Sequence, residues 1–134
     1  MVVKIMASSP TMKSALEYNE KKVPNGEAEV IHTANVDPDL DGFLETIKRY
    51  ERRNFSSKEL SFHMSVNPSP TDGLSEEKVK ELVADIMEGL GFANQPYAVY
   101  RHDDIERRHY HVVSIRTDSN GRKIPSRQEN RRCL

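Results

Sequence analysis

The sequence predicts an α+β domain, an antiparallel sheet of about five strands with flanking helices. Three observations predict it. Strand-like and helix-like stretches succeed one another in the order β-α-β-α-β-α-β-β. The last two strands are joined by only a few polar residues, which makes them a hairpin and therefore antiparallel. At least one strand alternates cleanly between an apolar and a polar face, as suits an antiparallel sheet backed by helices.

Taken in order, Val2 to Ala7 is a short apolar run that ends at Ser8, Ser9 and Pro10. Ser9 followed by Pro10 is a helix start, with serine as the cap and proline at the first helical position. That helix carries Met12, Ala15 and Leu16 on one stripe, and at about 100° per residue Tyr18 falls off its centre. Tyr18 is therefore free to point elsewhere. Pro24-Asn25-Gly26 turns the chain into a second strand, Ala28 to Ala34, in which His32 reads as a surface polar residue.

Asp37-Pro38 repeats the cap-then-proline signal, and Leu40, Phe43, Leu44, Ile47 and Tyr50 follow at helical spacing. Tyr50 is thus expected in the core. Arg49, Arg52 and Arg53 gather at the end of this helix, where cations favour the carbonyl pole. In the third strand, Leu60 to Asn67, Leu60, Phe62, Met64 and Val66 share one face and Ser61, His63, Ser65 and Asn67 the other. After a loop with Pro68, Pro70 and Gly73, Ser75 caps a helix with the stripe Val79, Leu82, Val83, Ile86 and Leu90, closed by Gly89 and Gly91.

The hairpin lies in Tyr97 to Ile115, a window that holds three of the five histidines. His109 and His111, two apart in a strand, project to the same side. Such a pair commonly decorates a solvated strand face. Here Tyr97 to Arg101 is a strand that ends as His102 begins, and Asp103 to Arg107 turns the chain, so His102 joins the other two across the hairpin. Three neutral imidazoles at one point suit a divalent metal with open positions, whereas a closed structural site wants a fourth ligand, usually sulfur. The single cysteine, Cys133, is remote in sequence. Asp104 is placed to accept the second ring N–H of a liganding histidine.

Length and composition narrow the classes. With 134 residues, 36% hydrophobic and 31% charged, the chain fits one soluble domain, and no apolar run approaches the roughly 20 residues of a membrane span. One cysteine argues against a disulfide scaffold and for a reducing, cytoplasmic setting. The net charge is −1, yet from Arg101 to Leu134 nine Lys or Arg stand against five Asp or Glu, a local +4. The basic part surrounds the histidines, as phosphate contacts require. Residues 1–116 are expected to form the domain and 117–134 a flexible basic tail, or the start of a longer chain.

The pattern His102-x-Asp104-x4-His109-x-His111 resembles the third motif of the relaxases, or mobilisation nucleases, among the HUH endonucleases, whose name denotes histidine, hydrophobic residue, histidine. Tyr110 takes the central position. SALEYNEKKV resembles the family's tyrosine motif, FHMSVNPSP its middle motif, and GFANQPYAVYRHDD the approach to the histidines. The likeness is to relaxases of mobilisable plasmids and integrated elements, although several relatives have a histidine where Arg107 stands.

This resemblance implies a sheet with the histidine hairpin central, Tyr18 as nucleophile, Asp104 supporting catalysis, and His102, His109 and His111 on a divalent ion (Mg, Mn or Zn). It further implies single-stranded DNA at an origin of transfer as the partner, with accessory mobilisation proteins. His63, Ser65, Asn67, Arg101, Arg107, Arg108, Arg122 and Lys123 are the expected DNA contacts. Tyr100, on the His102 side of its strand, competes with Tyr18. A replication initiator of the same superfamily, a water-activating metal nuclease and a non-catalytic single-stranded DNA binding module are the rival readings.

Overall fold

The computed structural model describes residues 2–5, 28–52, 61–69, 73–103, 108–118 and 124. Five strands, β1 (Val2–Ile5), β2 (Ala28–Ala34), β3 (Ser61–Asn67), β4 (Tyr97–Asp103) and β5 (Arg108–Ile115), form one antiparallel sheet in the order β1-β3-β5-β4-β2. The α+β antiparallel architecture is as the sequence predicts. The strand carrying His109 and His111 is the middle one of the five, and the hairpin β4–β5 sits at the heart of the sheet. The helix expected from Ser9, and Tyr18 with it, lies outside the described residues.

Alternation divides the sheet into two unlike faces. On one, Phe62, Met64 and Val66 of β3, Tyr97 and Val99 of β4, and Tyr110 and Val112 of β5 form a core with α2 (Glu76–Gly89). Helix α2 contributes Val79, Val83 and Met87, and Leu90 and Phe92 follow it into the same core. Each fully buried apolar side chain here contributes about 1.5–3 kcal/mol of transfer free energy. On the other face Ala98, Tyr100, Val113 and Ile115 pack against Phe43 and Ile47 of α1 (Gly42–Arg52). This second core is smaller. It leaves room beyond Tyr100 for polar side chains.

The ends of α2 follow directly from its sequence. Ser75 Oγ accepts from the Lys78 N–H at 3.2 Å, satisfying one donor of the first turn. At the other end Gly91 takes φ +87°, its N–H reaching Glu88 O at 3.1 Å and the Phe92 N–H reaching Met87 O at 2.7 Å. This is a Schellman closure, with Phe92 and Met87 meeting in the core as its usual hydrophobic contact. Met87, absent from the predicted stripe, is fully buried.

Two expectations need correcting. Helix α1 begins at Gly42, because Asp37 forms a local turn instead of a cap: its carboxylate accepts from the Asp39 N–H (2.9 Å), and its carbonyl accepts from the Leu40 N–H (3.1 Å). Arg49 then reaches back to Asp37 at 2.7 Å. Strand β4 does not stop at Arg101 but runs to Asp103, since His102 pairs opposite His109 and Asp103 opposite Arg108. Thr117 is buried, its carbonyl accepts from the Gln95 side chain at 2.5 Å, and Ile124 packs on the α2 core with its N–H on Arg116 O.

Candidate metal centre

In β4 and β5, His102 is the register partner of His109, and Tyr100 is the partner of His111. All four therefore project from the same face, the one opposite the α2 core. His102 and His111 approach to 4.1 Å between ring centroids, His102 and His109 to 5.1 Å, and His109 and His111 to 5.0 Å. One ligand nitrogen from each lies within 4.8 Å of the others. His102 and His111 are buried and His109 is half-buried, so the cluster opens to solvent on the His109 side.

Neighbouring β3 completes the floor. Ser65 is the register partner of His111, and His63 lies one step further along the same face, beside Val113. The His63 ring bonds to His111, Nε2 to Nδ1, at 2.7 Å. Burial pulls the His63 pKa from its ordinary 6.5 to about 4, so this ring is neutral at physiological pH. Asn67 Nδ2 donates to Ser65 Oγ at 3.1 Å, which ties these two polar residues of β3 together beside the histidines.

The donor set fits a divalent metal ion. Three imidazoles, and no thiolate or carboxylate among the described members of the cluster, form a ligand set with positions left for water or a phosphate oxygen. Among the described residues, no hydrogen bond reaches the buried ring nitrogens His102 Nδ1 and His111 Nε2, and a buried imidazole nitrogen in its deprotonated form is what a metal ion engages.

The structure brings His63, Ser65, Asn67, His102, His109 and His111 together on one face. Arg101 and Arg108 are not part of that assembly. As neighbours in sequence of His102 and His109 they point through the opposite face, where Arg101 pairs with Glu29, Glu76 and Asp103, and Arg108 pairs with Asp103 at 2.8 Å. Hydrogen bonding to Glu76 raises the Arg101 pKa above its usual value, consistent with a structural tie between the sheet and the start of α2. Strand alternation alone excludes these two arginines from the histidine face. Tyr18, Asp104, Arg107, Arg122 and Lys123 lie outside the described residues.

Sequence reasoning put His63 among the expected DNA contacts but missed its bond to His111. The signal was its position on the polar face of β3; using it required knowing that β3 lies beside β5. The other tyrosines are also placed. Tyr97 and Tyr110 lie in the α2 core, Tyr50 packs against the second core, and Tyr100 is fully buried beside Phe43 and Ile47.

A protein-family model for relaxases, the MobA/VirD2-like nuclease domain, matches residues 18–134. No curated protein matches the chain. Among the described residues no helix is long and apolar enough to cross a membrane.

Proposed function

Since the chain belongs to the relaxase family with a MobA/VirD2-like nuclease domain, we propose that it nicks one strand of DNA at an origin of transfer, with Tyr18 as the nucleophile. The observation that carries this reading is the convergence of His102, His109 and His111 within 4.8 Å on an open sheet face. These three residues would hold the divalent ion, whether Mg, Mn or Zn. Such an ion neutralises charge on the non-bridging oxygens of the scissile phosphate and so lowers the barrier to in-line displacement.

The chain's own residues account for the rest. The Tyr18 Oη–phosphorus bond forms as the bond from phosphorus to the 3′ oxygen breaks, the phenolic proton ends on that departing oxygen, and the 5′ phosphate stays on tyrosine. One phosphoester replaces another. The exchange is therefore reversible, as strand rejoining during mobilisation of a plasmid or integrated element requires. Burial leaves Tyr100 without the access that a nucleophile for a polymer needs, which favours Tyr18. Asp104 is assigned to orient a liganding imidazole through its second ring nitrogen.

His63, Ser65 and Asn67 line the floor along which single-stranded DNA would pass, and Arg107, Arg122 and Lys123 are assigned to its phosphates. Arg101 and Arg108, on the opposite face, would meet phosphates only of a strand that wraps round the end of the hairpin. The protein would act in the cytoplasm with accessory mobilisation proteins.

The test is incubation with a single-stranded origin oligonucleotide and a divalent ion, followed by a search for a covalent adduct. Tyr18→Phe should keep metal and DNA binding and lose the adduct, since only the attacking oxygen is removed. An adduct that persists in Tyr18→Phe moves the role to Tyr100. Cleavage without any adduct in the wild type means a water-activating nuclease, and DNA binding without cleavage means a binding module.

A further inference from the structure

We infer that His63 is a positioning residue of the metal centre: by accepting the Nδ1–H of His111 it selects the tautomer whose Nε2 lone pair is available to a metal ion. This rests on reading His102, His109 and His111 as metal ligands. The contact between His63 Nε2 and His111 Nδ1, at 2.7 Å, has room for one hydrogen. A neutral imidazole carries its proton on only one nitrogen. If His63 donates, His111 must hold its own proton on Nε2 and is lost as a ligand through that atom. If His111 donates, Nε2 is free to coordinate, and His63 carries its proton on Nδ1.

The sheet is built to hold this contact. His63 is flanked in β3 by Phe62 and Met64, both fully buried in the α2 core, so the strand that presents it has little freedom. The partner is also chemically distinctive. A carboxylate in this place would make His111 a more electron-rich ligand and would offset the charge of the ion. An imidazole orients His111 without adding negative charge, so the ion keeps its full attraction for a phosphate oxygen.

Long-range 15N NMR of the metal-free protein at mildly alkaline pH should show His111 with its proton on Nδ1. Zinc affinity, measured by calorimetry, should fall about 10- to 100-fold in His63→Leu and return towards the wild-type value in His63→Gln, whose side-chain oxygen is again an acceptor. A wild-type His111 protonated on Nε2 overturns the positioning role, and a His63→Leu protein with unchanged zinc affinity overturns it while leaving the metal centre intact. Failure of the wild type to bind zinc overturns the metal centre, and the positioning role falls with it. The tautomer measurement needs no variant, so it decides the matter even if His63→Leu does not fold.

Discussion

Acidification should destabilise the metal-free protein through His63, by an amount that its burial sets. The ring titrates near 6.5 when exposed and near 4 in the fold. Between these values the unfolded chain takes up a proton that the folded protein refuses. The stabilising contribution is therefore complete above the unfolded pKa and is lost as pH falls through the window. Linkage gives a loss of about 2 kcal/mol between roughly pH 7.5 and pH 5, and about 3 kcal/mol below pH 4. Other carboxylates and histidines titrate over the same range, so the informative quantity is a difference. Urea unfolding of chelator-treated wild type and His63→Gln at both pH values should show the wild type losing about 2 kcal/mol more than the variant. Equal losses in the two proteins would refute the reasoning, because they would mean that the folded site accepts the proton as readily as the unfolded chain.

Three further outcomes follow from the geometry. Replacing His109 and His111 together by alanine should abolish zinc uptake, and calorimetry showing one equivalent bound at unchanged affinity would put the site elsewhere. Gln95 is buried and its amide donates to both Ile115 O and Thr117 O, so Gln95→Leu should cost about 2–4 kcal/mol in urea unfolding by stranding two buried carbonyls; a loss under about 1 kcal/mol would show that they find other donors. Arg101→Gln should leave zinc affinity unchanged and cost about 1 kcal/mol of stability, because its ion pairs lie on the face away from the histidines. A drop in zinc affinity would show coupling through the sheet that the side-chain directions do not suggest.

Much of the fold was legible locally. The alternation in Ser61–Asn67, the serine cap at Ser75 and the glycine closure at Gly91 are each decided by neighbours within a few residues, and each stands in the structure. The start of α1 was misread for the same kind of reason: Asp37-Pro38 carries a cap signal, but the aspartate satisfies its own turn before the helix begins at Gly42.

The sequence by itself determined the histidine pair on one strand, the third histidine across a short hairpin, and the resemblance that joins them to a tyrosine near the start of the chain. Those features depend on a two-residue repeat and a tight turn, which are short-range. Only the tertiary structure decided that β3 lies on the other side of β5, and so made His63 the partner of His111 and Ser65 its neighbour. Sheet order is set by which strands bury their apolar faces together under α2, a sum over contacts far apart in the chain. No local pattern in Ser61–Asn67 says which strand will lie beside it.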